Sequence, residues 1–246
     1  MSNHLALRSG NPALQSSTFR NHLSSVTDGT MTLSGTVNKT AISLVLVILS
    51  AAYSWTNPAM HGLVVPAALI GFVLAMVTVF KPTLGHITVP AYALAQGVFL
   101  GVISMIFNAQ YPGIVVQAVF LTFGTLGALL LAYMSGLIKA TENFKLGIVA
   151  ATGGIALLYF INFIMSFFGS GLGIISSNNT MGILFSGAVV VIAALNLVLD
   201  FDFIEEGAEM GAPKYMEWYG AFGLLVTLIW LYLEILRLLA KLSSRR

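Results

Sequence analysis

The sequence predicts an all-α membrane protein with seven transmembrane helices, on the basis of its composition and of a recurring apolar pattern. Of its 246 residues, 57% are hydrophobic and 8% are charged, whereas soluble domains carry about 25% charged residues. Apolar runs long enough to cross about 30 Å of hydrocarbon recur seven times. The length is sufficient for one helical bundle, without a separate soluble domain.

The seven predicted spans are separated by segments rich in turn-forming residues. These separators include the pairs Asn57-Pro58, Lys81-Pro82 and Tyr111-Pro112 and the segments 169–179 and 207–213. We expect the spans near residues 38–55, 62–80, 89–107, 113–134, 146–168, 181–203 and 218–240.

The two ends of the chain differ from the predicted bundle in composition. Residues 1–38 are rich in Ser, Thr and Asn and lack the continuous apolar core of a signal peptide. We expect them to form a mobile polar tail. Residues 39–242 would form the seven-helix bundle, and residues 243–246 would form a basic C-terminal end.

The distribution of lysine and arginine predicts the orientation in the membrane. With seven spans, the N-terminal segment and the loops after spans 2, 4 and 6 share one side. That side carries Arg8, Arg20, Lys39, Lys81, Lys139, Lys145 and Lys214. The opposite loops carry none, so we expect a cytoplasmic N-terminus. The C-terminal cations contradict this bias, so either the last segment does not cross fully or the rule is overridden there.

Composition also excludes several classes of function. A net charge of +2 and the lack of a basic run argue against a nucleic-acid partner. The chain has no cysteine, which excludes disulfides, iron–sulfur clusters and cysteine–zinc sites. Its four histidines are scattered without ligand spacing, so we expect no metal-dependent catalysis and no cofactor.

Small residues predict close contacts between helices. Gly97 and Gly101 form a GxxxG motif in span 3. Gly124 and Gly127 share one side of span 4, and Gly154 shares one side of span 5 with Ala150. Small faces let helix backbones approach closely, so we interpret all three as packing surfaces.

Ionisable residues at membrane depth are the strongest functional signal in the sequence. Asp200 and Asp202 lie near the end of span 6, and Glu234 and Arg237 lie within span 7. A charge at bilayer depth costs roughly 2.5 kcal/mol or more, so such residues usually face a bundle interior or a water-filled cavity. Asn196 shares the helical face of Asp200, whereas Asp202 lies about 200° around the helix.

Four strings of the sequence resemble the transmembrane Bax inhibitor motif family, in its bacterial Bax-inhibitor-like branch. The strings are PAYALAQGVFLGVIS (90–104), LTFGTLGALLLAYMSGLIKATENFKLGIVAATGGIALLY (121–159), ALNLVLDFDFIEEG (194–207) and EWYGAFGLLVTLIWLYLEILRLLAKL (217–242). The resemblance implies a seven-helix fold whose last helix is central and wrapped by the other six. It also implies a pH-sensitive, calcium-permeable leak in the bacterial inner (plasma) membrane, linked to stress tolerance.

In this family, a pair of aspartates in the last two helices shares a proton and acts as the gate. Asp200 matches the first of the pair, but this sequence departs from the pattern at the second. Alignment on LYLE places Glu234 there, and alignment on LRLL places Thr227 there. At 1.5 Å per residue, Glu234 would differ from Asp200 in depth by roughly 18 Å and Thr227 by roughly 8 Å. We therefore favour Thr227.

Each of the remaining polar residues has a structural interpretation beside a functional one. Asp200 is interpreted as a cation ligand or proton acceptor, and Asp202 as a secondary candidate or a helix-end acid. Glu234 and Arg237 form either a structural ion pair or part of the ion path. Gln96 lies where relatives often carry a carboxylate, and an amide bonding across helices is the simpler interpretation. We expect Lys241 to extend towards the interface.

The resulting hypothesis is a pH-sensitive cation leak channel, with calcium or protons as the ions and Asp200 near its cytoplasmic mouth. The alternative is a non-conducting regulator that binds and restrains a partner membrane protein such as a quality-control protease. Three other classes lack their signatures: Lys241 is too near the helix end for a retinal Schiff base, no GxGD motif is present, and no internal repeat indicates a transporter. We expect no enzymatic activity.

Overall fold

The computed structural model describes residues 29–169 and 171–245, and this part of the chain contains the seven predicted long helices. All seven are long and apolar enough to cross a membrane, which confirms the predicted fold class. Their bounds are α1 Leu33–Thr56, α2 Val64–Phe80, α3 Gly85–Gln110, α4 Ile114–Met134, α5 Glu142–Phe167, α6 Thr180–Glu209 and α7 Met216–Ser243. Short helical turns at Pro58–Leu63, Pro82–Leu84 and Gly173–Ser176 lie in the connections.

Polar side chains at the helix starts define several of these bounds. Thr32 accepts a hydrogen bond from Gly35 N–H and begins α1, a little before the predicted span. Thr141 caps α5 in the same way, and Asn179 caps α6. Each cap satisfies a backbone N–H that has no partner inside its own helix. Residues 1–28, which hold most of the predicted tail, lie outside the described residues.

Helix α7 has the most buried surface of the seven. In its most apolar window 61% of the residues are buried, compared with 11–44% in the other helices. It packs against α1, α3, α4 and α6, and Tyr159 of α5 reaches it by hydrogen bonds. The core of the protein therefore lies around α7, while complete wrapping by all six helices stays a prediction.

The last helix crosses the full bundle. At one end, the backbone of Met31 bonds to Ala212 in the loop between α6 and α7. At the other end, Arg245 Nη2 donates to Thr180 Oγ1 at the start of α6, at 2.9 Å. The start of α1 and the end of α7 therefore lie at opposite ends of the bundle. Helix α7 is also long and apolar enough to cross a membrane along its whole length, so the prediction of seven crossings is kept and the C-terminal cations would be an exception to the charge bias.

Only one of the three predicted small-residue faces packs closely. A Cβ added at Gly97 would lie 2.5 Å from the backbone oxygen of Val47, and one at Gly101 would collide with Ser54 of α1. The GxxxG prediction is therefore confirmed. The predictions for α4 and α5 are wrong, because a Cβ at Gly124, Gly127 or Gly154 would meet no described atom within 4 Å.

Candidate functional site

Asp200 lies in the last third of α6 and is completely buried. Its chain neighbours Leu199 and Phe201 are buried as well. Among the described residues, neither carboxylate oxygen has a hydrogen-bond partner. A buried carboxyl group without partners is costly and rare in folded proteins, so it calls for an explanation.

Thr227 of α7 is the polar side chain that faces this carboxyl group. Its side chain lies close enough to interact with the carboxyl group of Asp200, although no hydrogen bond of ordinary geometry joins the two groups. Thr227 is itself 3% exposed. The structure thus brings Thr227, and not Glu234, beside Asp200.

Asp202 points to a different neighbour. Its carboxylate forms an ion pair with Lys145 in the first turns of α5. Lys145 is buried, and Asp202 is partly exposed. Sequence analysis used Lys145 only as an orientation charge and missed this pair. The available signal was a single lysine at the start of an apolar helix, where its head group needs a nearby acid.

A second polar contact holds the same end of the bundle together. The Tyr133 hydroxyl at the end of α4 donates to Glu205 of α6. The ring of Tyr133 also lies 5.9 Å from that of Phe201. With the pair between Lys145 and Asp202, this contact ties α4, α5 and α6 together within two turns of Asp200.

Two predicted site residues, Asn196 and Gln96, form their contacts with residues other than Asp200. Asn196 donates to Thr152 Oγ1 of α5 and to the Ile192 carbonyl, both at 2.8 Å. Gln96 packs its amide against Gly71 of α2, where an added Cβ would lie 2.5 Å from Nε2. Both amides therefore belong to interfaces between helices, and neither completes a ligand set around Asp200.

Glu234 and Arg237 form an ion pair that includes Tyr159. Arg237 Nη1 lies 2.8 and 3.0 Å from the two carboxylate oxygens of Glu234 and 2.7 Å from the Tyr159 hydroxyl. That hydroxyl also lies 3.0 Å from both carboxylate oxygens. The guanidinium lies over the Tyr159 ring, 5.2 Å from its centroid. Its two members on α7 lie about two to three helical turns beyond Thr227, so the cluster is separate from Asp200.

The prediction that Lys241 extends to the interface is wrong. Its ammonium is buried and donates to the Ile175 and Gly182 carbonyls at 2.8 and 3.0 Å and to Ser186 Oγ at 2.8 Å. Three acceptors match its three N–H donors. The fold of the connection between α5 and α6, which places these carbonyls, could not be read from the sequence.

Glu217, in the first turn of α7, is a further buried acid. Its carboxylate accepts from the backbone and hydroxyl of Thr32, at 3.0 and 2.9 Å, and pairs with Lys39. Lys39 also lies over the Trp218 ring, 5.6 Å from its centroid. The start of α1 is therefore fastened to the start of α7 by a hydrogen-bonded ion pair.

An apolar cavity of about 460 Å³ lies between α1, α3, α4 and α7. Leu225 and Leu228 line it on α7, close to Thr227. Its polar feature is a 2.6 Å hydrogen bond between Ser104 and Tyr232. The wall of this cavity near Thr227 is thus mostly apolar.

Comparison with known proteins adds one finding to this geometry. A family model described as Bax inhibitor 1 like matches residues 11–244. The chain belongs to this family. No curated protein and no solved structure matches the chain. Bax inhibitor 1 like proteins are membrane channels or regulators, not enzymes, and are associated with ion leak activity.

The described part of this Bax inhibitor 1 like chain contains no group of three or more acidic or histidine side chains that could hold a metal ion. Calcium in proteins takes six to eight oxygen ligands. One carboxylate and one hydroxyl, from Asp200 and Thr227, fall well short of that number. The described side chains around Asp200 therefore do not form a calcium-binding site by themselves.

Proposed function

We propose that this Bax inhibitor 1 like protein is a pH-sensitive cation leak, with calcium as its main ion, gated by the charge on Asp200. The observation that carries the proposal is the completely buried carboxyl group without a hydrogen-bond partner. In this otherwise apolar region, the group must either hold a proton or, when it is ionised, be compensated by a cation or by water. Ionisation would therefore draw water and cations between α6 and α7.

The acidic C-terminal end of α6 supports a path that attracts cations. Glu205 and Glu209 are exposed there, and Asp202 is partly exposed. A cluster of one charge sign raises the local concentration of counter-ions. Cations would collect at this end, one to three turns from Asp200.

The packing beyond Asp200 supports a leak that is closed in the described conformation. Leu224, Leu228 and Leu231 of α7 are buried in the core near Thr227. Apolar constrictions block ions by excluding water. Helix α6 would have to move slightly away from α7 to let water enter between these leucine side chains.

The proposal predicts that Asp200→Asn abolishes the pH response of calcium flux. In vesicles containing the purified protein, flux should rise with pH for the unchanged protein, because more Asp200 side chains are ionised. Asp200→Asn cannot ionise and should give low flux at both an acidic and an alkaline pH. The measurement is calcium entry reported by a dye trapped inside the vesicles.

Two comparisons make this test specific. Glu142→Gln removes an exposed acid at the start of α5, on the same end of the bundle, and should leave the pH response intact. Thr227→Val keeps the shape beside Asp200 but removes the hydroxyl and should change the size of the flux. A pH response that survives Asp200→Asn would refute the gating role.

The alternative function, a non-conducting regulator, has one supporting observation. Gly124 and Gly127 of α4 and Gly154 of α5 are exposed, with open space around them. Small residues on an exposed helix face allow another transmembrane helix to approach closely. Absence of calcium flux from the purified protein, together with stable co-purification of a second membrane protein, would favour this function over the leak.

A further inference from the structure

We propose that a polar cavity at the C-terminal end of α7 binds an anionic phosphate group through Arg237. The group would come from a lipid headgroup or from free phosphate. This inference is independent of the proposed leak, because Arg237 lies ten residues beyond Thr227 along α7, or roughly 15 Å at 1.5 Å per residue.

The cavity has a volume of about 360 Å³ and combines polar and apolar walls. It lies where the ends of α3, α5 and α7 meet the connection between α5 and α6. Its polar wall is formed by Gln110, Tyr111, Asn162, Asn178, Arg237 and Lys241. All of these elements lie at the end of the bundle opposite to the start of α1.

Arg237 is held so that part of its guanidinium faces the cavity. All its hydrogen bonds to described residues use Nη1, which contacts Glu234 and Tyr159. The side chain is 39% exposed, whereas Glu234 is 3% exposed. The buried Glu234 carboxylate and the Tyr159 ring therefore hold one side of the Arg237 guanidinium, which leaves its Nη2 and Nε groups for a ligand. Two such parallel N–H donors match the oxygens of a phosphate.

The charge and hydrogen-bonding character of the walls favour an anion over a cation. Arg237 and Lys241 carry two positive charges against the one negative charge of Glu234, giving a local net charge of +1. Asn162 uses its amide oxygen to accept from Leu172 N–H at 2.8 Å, so its NH₂ group remains as a donor. A cation entering the cavity would meet a local net positive charge, whereas an anion would meet the Arg237 guanidinium and the Asn162 NH₂ group as donors.

The apolar part of the wall indicates why a lipid is a suitable source of the phosphate. Phe107, Ile175 and Ala240 also line the cavity. In a lipid, apolar atoms follow directly after the phosphate, and these side chains would contact them. Free phosphate would contact only the polar wall of the cavity, whereas a lipid would contact both walls. Binding of the two sources can therefore be distinguished by experiment.

The test compares the complete purified protein with the double variant Glu234→Gln/Arg237→Gln. Removing both charges together leaves no unpaired buried charge and keeps hydrogen bonds to Tyr159, so the fold should be retained. Bound lipid is measured by native mass spectrometry after incubation with vesicles of phosphatidylglycerol or of phosphatidylcholine. Melting temperatures with and without inorganic phosphate measure binding of the free ion.

The unchanged protein should retain the anionic lipid several-fold more than the zwitterionic one, or should melt at a higher temperature with phosphate. The first result assigns the site to a headgroup and the second to the free ion. The double variant should lose the effect, and Arg237→Lys, which keeps the charge without the fork, should weaken it. Lys214→Gln removes an exposed cation at the opposite end of the bundle, and it should change neither the lipid retention nor the effect of phosphate on the melting temperature.

Two results would overturn the proposal. One is an unchanged protein that neither prefers the anionic lipid nor is stabilised by phosphate. The other is a folded double variant that binds as well as the unchanged protein. Neither result bears on the leak, since calcium flux and its pH response are measured separately.

Discussion

Five Asp, Glu and Lys side chains of the described residues are buried, and four of them have a partner group. Glu217 is paired with Lys39, Lys145 with Asp202 and Glu234 with Arg237, while Lys241 donates to three oxygens. Asp200 alone has no hydrogen-bond partner among the described residues. A paired charge holds helices together, whereas an unpaired one requires another species to compensate it. This contrast is why Asp200, and not the other buried acids, is assigned to gating.

At the residue scale, we predict that Glu217→Gln lowers the free energy of unfolding by about 1–3 kcal/mol. The substitution keeps the shape of the side chain but removes the charge that pairs with Lys39 and accepts from Thr32. Chemical unfolding in detergent micelles measures the change. Glu209→Gln, at an exposed position, should be nearly neutral. Equal stability of the two variants would show that the contacts of Glu217 with Lys39 and Thr32 contribute nothing to stability.

At the element scale, glycine spacing predicted which faces are small but not which faces are buried. Gly97 and Gly101 lie against α1, whereas Gly124, Gly127 and Gly154 lie in open space. All three helices that hold these glycines are apolar enough to cross a membrane, because lipid-facing and helix-facing residues have similar hydrophobicity in a membrane protein. Periodicity therefore could not separate the two cases.

The same contrast provides a prediction for helix packing. Gly97→Ala should destabilise the protein by about 1–3 kcal/mol, because the new methyl group would be forced against the backbone of Val47 and the side chain of Ser50. Gly124→Ala should be neutral or slightly stabilising, because alanine favours the helix and nothing obstructs it. Unfolding in detergent compares the two variants. If Gly97→Ala left the stability unchanged, α1 and α3 would pack less closely than described.

At the scale of the whole molecule, seven full crossings place the two ends of the bundle on opposite sides of the membrane. Lys214 lies in the loop between α6 and α7, beside the start of α1. Ser244 follows the end of α7 at the other end of the bundle. The lysine and arginine distribution predicts that the Lys214 side is cytoplasmic.

The lack of cysteine makes this topology directly testable. Single variants Lys214→Cys and Ser244→Cys introduce one thiol each at exposed positions. In intact cells, a thiol reagent that does not cross the membrane should label Ser244→Cys and not Lys214→Cys. Breaking the cells should make both accessible. Labelling of both variants, or of Lys214→Cys alone, in intact cells would contradict the predicted orientation.

Much of the fold was predictable from the sequence because hydrophobic length is a property of consecutive residues. The number of spans, their approximate bounds and their order follow from the apolar runs and from the Pro- and Gly-containing breaks. The position of Asp200 was predictable for the same reason, because acids near the end of an apolar run are conspicuous whatever their surroundings. The family resemblance pointed to the same residue.

Contacts between distant parts of the chain were decided only by the tertiary structure. The local sequence does not indicate which distant residues will interact. It does not show that Lys241 donates to the Ile175 carbonyl or that Glu217 accepts from Thr32. The ion pair between Asp202 and Lys145 is likewise not indicated. Each of these contacts depends on which helices become neighbours, and in lipid that choice depends on packing shape more than on hydrophobicity. The sequence determines which segments cross the membrane and where their rare charges lie, and the packing around α7 determines which of those charges are compensated.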